Sequence, residues 1–324
     1  MHSIPQLQSL IAQAIGEDDF HLQARGIEEP VRYFLQIGGK RLRPALVLMA
    51  TDLFGGDVKA ALPAALAIEY YHNFTLIHDD VMDNAPLRRG HQTIHTKWDT
   101  NTAILAGDAL LVLAYRSLAM CNPAHLPQLL QVFNKSSLEV CEGQQFDLEF
   151  EKRDMVTDTE YLQMIRLKTA VLLGAALQMG AILADAPARD AEQIYTFGVQ
   201  MGIAFQLQDD VLDVYGDMAA FGKQVGGDIL ADKKTLLLIK AFESADLQQQ
   251  QVLRQWLNTP SANPVEKVTA VTAIYNELQV RELAEQVVGE HAAEAMRCLD
   301  AVGVPDERKE IIRAFASQLL SRQY

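Results

Sequence analysis

Cysteine is scarce, excess positive charge is missing and strand-like alternation is nearly absent from these 324 residues. The three cysteines, Cys121, Cys141 and Cys298, are odd in number, far apart and without a C-x-x-C pair. That excludes a disulfide framework and a thiolate zinc site, and fits a reducing cytoplasm. Lys and Arg number 28 against 42 Asp and Glu, a formal net charge of −14. The chain therefore lacks the basic surface that nucleic acid or an anionic membrane would attract. The N-terminus, Met1-His2-Ser3-Ile4-Pro5-Gln6, has no charged leader ahead of an apolar core. The most apolar window, Ala170 to Ala184, is short for a membrane span and carries Gln178. It reads as a buried helix, and no transmembrane segment is expected.

What is present is apolar spacing of three and four residues, carried by a hydrophobic content of 49%. The fold class is all-α. Punctuation falls at Gly38-Gly39, Gly55-Gly56, Ala85-Pro86, Asn122-Pro123, Ala186-Pro187, Gly216, Gly226-Gly227, Pro260 to Pro264 and Gly303 to Pro305, and none of it resembles a flexible linker. Segments around 60–83, 99–120, 125–149, 160–184 and 189–215 are apolar on more than one face, as in helices surrounded by helices. After about Lys233 the pattern becomes amphipathic, with Gln248 to Gln251, Glu282, Glu285 and Glu290 on a solvated face.

One acidic pentapeptide occurs twice, as Asp79-Asp80-Val81-Met82-Asp83 and Asp209-Asp210-Val211-Leu212-Asp213. The first and last Asp of each are spaced i, i+4, so in a helix they share a face at about 5–6 Å between Cβ atoms. Both copies lie toward the C-terminal ends of apolar helices, where the helix dipole disfavours negative charge and N-capping is no explanation. Crowded carboxylates without Cys or His suit a hard cation. Mg2+ in particular is held by a few carboxylates together with substrate phosphates.

Cations cluster in short motifs: Gly38-Gly39-Lys40-Arg41-Leu42-Arg43-Pro44, Arg88-Arg89-Gly90, Lys168-Thr169, Gly222-Lys223 and Lys233-Lys234-Thr235. Arg forks and Lys point charges together suit two diphosphates, although any one pair taken alone reads as a solvated face. Glu69 and His72 have the Glu-x-x-His spacing of di-iron bundles, but no second copy occurs.

These motifs, in this order from Gly38 to Thr235, closely resemble the trans-isoprenyl diphosphate synthases of the polyprenyl synthetase family. The resemblance implies one domain over residues 1–324, an all-α single-domain bundle around a central elongation cavity. It implies condensation of isopentenyl diphosphate with an allylic diphosphate to an all-trans prenyl diphosphate. Asp79, Asp80, Asp83, Asp209, Asp210 and Asp213 then correspond to metal ligands for about three Mg2+. Arg88, Lys168, Lys223 and Lys233 correspond to groups on the allylic diphosphate, and Lys40, Arg43, His72 and Arg89 to the isopentenyl diphosphate pocket. Thr169 and Gln206 resemble groups whose oxygens steady the carbocation. In the family the departing diphosphate takes the last proton, and a homodimer is expected. The chain departs from the family pattern at Thr235-Leu236-Leu237, where Pro usually follows Thr-Leu, and the extra Lys234 leaves two candidates for the last phosphate lysine.

Residues one and two turns before Asp79 face the growing chain: Thr75, Phe74 and Tyr71. Family members with Phe at this position and a small neighbour make C20 products, so geranylgeranyl diphosphate is the expected product, with farnesyl diphosphate next and a long quinone tail after that. Packing between helices is the competing role for Phe74 and Tyr71. A class I terpene cyclase would share the fold and first motif but mixes Asn, Ser and Glu in the second. A non-catalytic regulatory subunit would tend to lose acidic ligands, and this chain keeps all six.

Overall fold

Helices begin and end where local capping chemistry dictates. A computed structural model describes residues 2–216, 226–257 and 263–320, and among them the only strands form one short ribbon. Ser3 opens α1 (Ile4–Glu17) with a capping box closed by Gln6, and α2 (Arg25–Gln36) and α3 (Leu42–Leu53) follow. The long apolar segments become α4 (Leu62–Met82), α6 (Thr100–Leu118), α7 (Leu126–Glu151), α8 (Asp158–Ile165) with α9 (Val171–Leu183), and α10 (Ala188–Tyr215). The ribbon, β1 (Leu87–Arg88) and β2 (His91–Gln92), with the one-turn α5 (Ile94–Lys97), joins α4 to α6.

Two features depart from the sequence reading. The ribbon is one: Arg89 and Gly90 both take positive φ, 53° and 78°, the signature of a type I′ hairpin turn. The other is α12 (Leu236–Ser244), expected to be amphipathic yet buried at Leu236, Leu237, Leu238, Ile239, Ala241 and Phe242. The short α11 (Gly227–Leu230) precedes it, and α13 (Leu247–Leu257), α14 (Pro264–Glu277), α15 (Val280–Asp300) and α16 (Asp306–Leu320) complete the chain. Asp158–Leu183 is long and apolar enough to cross a membrane, but 72% of its most apolar window is buried inside the protein, as the sequence reading expects for Ala170 to Ala184.

The chain divides into two compact units, Met1–Asn134 with Ala175–Tyr195 and Gly303–Ile311, and Lys135–Gly174 with Thr196–Val302 and Ile312–Tyr324. In the first, α4 packs along α6, and a side chain on Gly107 would collide with the His78 ring, so α6 approaches α4 closely there. Leu46, Leu48, Met49, Ile68, Tyr70 and Leu110 are buried in this unit. In the second, residues Arg166–Ala170 widen into one π-helical turn. A side chain on Gly143 would strike the Lys168 backbone, and a Cβ on Gly202 would lie 2.6 Å from Ala170 Cα. Two glycines thus let α7 and α10 grip the π turn from both sides.

Candidate active site

The first acidic motif ends α4. Asn84 takes the left-handed conformation, φ 49°, while the Asn84 N–H donates to Val81 O at 3.3 Å and the Ala85 N–H to Asp80 O at 3.0 Å. This is a Schellman stop with Asn in place of Gly, and Pro86 forbids further helix. Asp79 is half-buried, Asp80 buried and Asp83 exposed. The ribbon returns Arg88 onto Asp80, with Nε 2.8 Å and Nη2 2.7 Å from Oδ1. The other oxygen of Asp80 is buried without a donor among the described residues. Burial pushes the Asp80 carboxyl up, and Arg88 opposes that shift.

Arg89, the next residue, reaches a different pocket. Gly38, Gly39 and Arg41 have φ of 79°, 148° and 47°, and a Cβ on Gly39 would lie 2.5 Å from the Arg89 guanidinium. Only glycine leaves room for that approach. Arg43 Nη1 sits 3.1 Å from His72 Nε2. Arginine has donors only, so Nε2 accepts and the neutral ring carries its proton on Nδ1. Burial, then Arg43, Arg89, Arg88 and Arg41, hold His72 well below the ordinary histidine value. Burial brings Arg43 down to about 10, still a cation at neutral pH.

Glu69 and Arg41 form a buried ion pair, and Asn73 Nδ2 donates to Glu69 Oε1 at 2.8 Å. The Glu69-x-x-His72 spacing therefore belongs to charge balance beneath a cationic pocket. Arg41 and Asn73 went unassigned at the level of sequence. A Glu inside an apolar helix was the available signal, because a buried carboxylate requires a partner. Lys40 is exposed beside the pocket, and its carbonyl accepts from Gln8 Nε2 at 2.6 Å.

One turn before Asp79 the same helix carries aromatics. Tyr71 is buried, edge-on to Phe133 at 5.3 Å between ring centroids, and Phe74 stands half-buried between Tyr71, at 5.6 Å, and the His78 ring, at 4.7 Å. The Thr75 hydroxyl donates to His72 O at 2.8 Å. Tyr71 thus packs as core, whereas Phe74 keeps an accessible edge.

The second motif ends α10, with Asp209 and Asp213 half-buried and Asp210 buried. Tyr161, a residue without a sequence motif of its own, donates its hydroxyl to Asp210 Oδ2, and Gln206 Nε2 donates to Oδ1 at 3.2 Å. Because the carboxylate takes the Gln206 amide nitrogen, Oε1 turns to Thr169, whose Oγ1 is 3.5 Å away. Burial foremost, with Asp228 adding to it, pushes Asp210 up to about 7 against the hydrogen bonds from Tyr161 and Gln206. Asp213 Oδ2 accepts the Asp228 N–H at 2.8 Å and so holds the start of α11. Lys168 leaves the π turn to meet Asp147 Oδ2 at 2.5 Å.

Lys233 is exposed and lies 3.5 Å from Asp228 Oδ1, whereas Lys234 folds back onto Asp232 O at 2.9 Å. Lys223 lies outside the described residues. Among the described residues no three His, Cys, Asp or Glu side chains converge on one point. The paired carboxylates, with the unsatisfied buried oxygen of Asp80 in the first motif, nevertheless fit Mg2+, which usually takes one or two carboxylates and completes its shell with water and phosphate oxygens.

An all-α bundle with paired acidic motifs and Arg-Lys pockets defines a class that handles diphosphates. The polyprenyl synthetase family profile matches residues 24–277. A geranylgeranyl diphosphate synthase of Methanosarcina mazei is 44% identical over 214 residues, 65% of this chain and 66% of that one. A short chain isoprenyl diphosphate synthase of Methanothermobacter thermautotrophicus is 36% identical over 294 residues, 90% and 89% of the two chains. A crystal structure of a geranylgeranyl pyrophosphate synthase superposes with TM-score 0.95 at 40% identity, over 100% of both chains. The chain belongs to the polyprenyl synthetase family.

Proposed function

We propose that this chain is a Mg2+-dependent short-chain trans-prenyltransferase that condenses isopentenyl diphosphate with an allylic diphosphate, giving geranylgeranyl diphosphate, C20, as main product and farnesyl diphosphate, C15, as the next. One observation carries the reading. Consecutive arginines on one hairpin serve two unlike anion sites, Arg88 at a carboxylate cluster and Arg89 at a pocket of Lys40, Arg43 and neutral His72. The first site takes a diphosphate only with a metal, and the second takes one directly.

Asp79, Asp83 and Asp209 are the carboxylates proposed to hold about three Mg2+. Asp80, Asp210 and Asp213 are proposed as ligands with them, and the donors Arg88, Tyr161, Gln206 and the Asp228 N–H fix how these three carboxylates are turned. Bound Mg2+ supplies Lewis acidity against the charge developing on a leaving diphosphate. Arg88, Lys168, Lys233 and Lys223 bind that diphosphate, and Lys40, Arg43, His72 and Arg89 orient isopentenyl diphosphate for attack. Thr169 Oγ1 and Gln206 Oε1 present oxygen lone pairs to the allylic cation. Lys233 rather than Lys234 is the phosphate lysine, because Lys234 is spent on its own turn.

A homodimer is proposed from the α6 face bearing Ile104, Leu105, Val112 and Tyr115, which are 41%, 50%, 67% and 40% exposed. Free Cys121, Cys141 and Cys298 favour the cytoplasm, and the whole chain is proposed as one catalytic domain. The test is incubation of the pure protein with Mg2+, isopentenyl diphosphate and, in turn, dimethylallyl, geranyl and farnesyl diphosphate, followed by product chromatography. A C20 all-trans product is expected. A hydrocarbon formed from the allylic diphosphate alone, or no product at all, overturns the reading.

A further inference from the structure

A buried lysine that the proposed reaction does not use stands behind the segment carrying Lys233. Lys267, on α14, is 3% exposed, and its Nζ lies 2.5 Å from Asp232 Oδ1. It sits in the first turns of its helix, where the dipole disfavours a cation, and away from water, where an ammonium persists only when paired. Its position is costly unless Asp232 is there.

Asp232 is itself strained into the left-handed region, φ 52°, one residue before Lys233. The rest of the segment is tied down around it. Asp213 Oδ2 holds the Asp228 N–H, Asp228 faces the Lys233 ammonium at 3.5 Å, and Lys234 Nζ closes onto Asp232 O. On the α14 side, a Cβ at Gly226 would lie 2.7 Å from the Val268 side chain, and Lys267, Val271 and Tyr275 line a small cavity shared with Asp228, Asp232 and Lys233. The helix is a platform under this stretch of chain.

We infer that Lys267 is a positioning residue: its ion pair locks the reversed turn at Asp232 and so fixes where Lys233 presents its ammonium to the allylic diphosphate. The inference rests on the proposed role of Lys233. It assigns Lys267 no contact with substrate.

Three variants test it. Asp232→Asn removes the charge while Asn still tolerates the left-handed turn, Lys267→Met keeps length without charge, and Lys267→Arg keeps the charge. Lys267→Met and Asp232→Asn should each raise KM for the allylic diphosphate about tenfold, with KM for isopentenyl diphosphate within about twofold of the parent. The double variant should be no worse than either single change, because both remove one interaction. Lys267→Arg should recover most of the loss. An unchanged allylic KM in both single variants, or additive effects in the double, overturns the inference.

Tryptic cleavage after Lys233 and Lys234 gives a readout that does not depend on turnover. Cleavage should be faster in Lys267→Met and Asp232→Asn than in the parent chain, and equal rates overturn the lock. Should the parent chain show no condensation, the functional reading fails and the cleavage rates still decide the lock.

Discussion

Arg88 closes on Asp80 through two nitrogens, Nε at 2.8 Å and Nη2 at 2.7 Å from the same oxygen. Both approach Oδ1, so the buried Oδ2 is left without a donor among the described residues while the carboxylate anchors the hairpin. Asp80→Asn keeps the volume and weakens that anchor, and condensation should fall by about 10–100-fold with the fold retained. Asp79→Ala and Asp209→Ala, at the proposed metal positions, should cost at least about 100-fold. Steady-state rates at saturating Mg2+ check both, and original speed in the Asp79 and Asp209 variants would remove the metal assignment.

Phe74 and Tyr71 separate by experiment because their packing differs. Phe74→Ala should lengthen the product beyond C20, read by chromatography of the hydrolysed products. Tyr71→Ala empties a buried site and should cost about 3–5 kcal/mol of stability. An unchanged product distribution for Phe74→Ala excludes it as the floor.

The π turn is sterically gated by Gly202. Gly202→Ala places a methyl 2.6 Å from Ala170 Cα, an overpacking that should cost about 1–3 kcal/mol in denaturant melts. Since Thr169 and Gln206 flank this contact, kcat should drop as well. Retained stability and rate together would show that the turn yields freely.

His72 gives a pH dependence of definite sign. Its folded pKa lies below the ordinary value of about 6.5, so below that pH the unfolded chain takes up a proton that the folded chain refuses. Stability supplied by the neutral ring is therefore present above about pH 6.5 and lost as pH falls. His72→Asn, which retains an acceptor for Arg43, should show a shallower loss over that window in melts at stepped pH. Parallel curves would contradict the burial argument.

The exposed α6 face predicts association. Val112→Arg places a charge in the middle of it and should convert a dimer to monomers in sedimentation equilibrium. A parent chain that sediments as a monomer would sink the dimer directly.

Much of this was legible because it is local. Helix spans were visible from spacing, the stop after Asp83 from Ala85-Pro86, and the cationic clusters Gly38 to Pro44 and Arg88-Arg89 from their motifs. The ribbon at Arg89-Gly90 was not visible, since two-residue strands carry no alternation. Neither was the π turn, whose cause is the approach of Gly143 and Gly202 from helices distant in sequence.

The sequence by itself determined an all-helical chain with two acidic helix ends and cationic loops, because periodicity, caps and glycine turns act within a few residues of one another. Only the tertiary structure decided which side chains partner the buried carboxylates. The pairings Arg41 with Glu69, Tyr161 with Asp210 and Lys267 with Asp232 join residues 28, 49 and 35 positions apart. Their formation depends on which helix faces are driven together when apolar surface leaves water, and no local pattern records that.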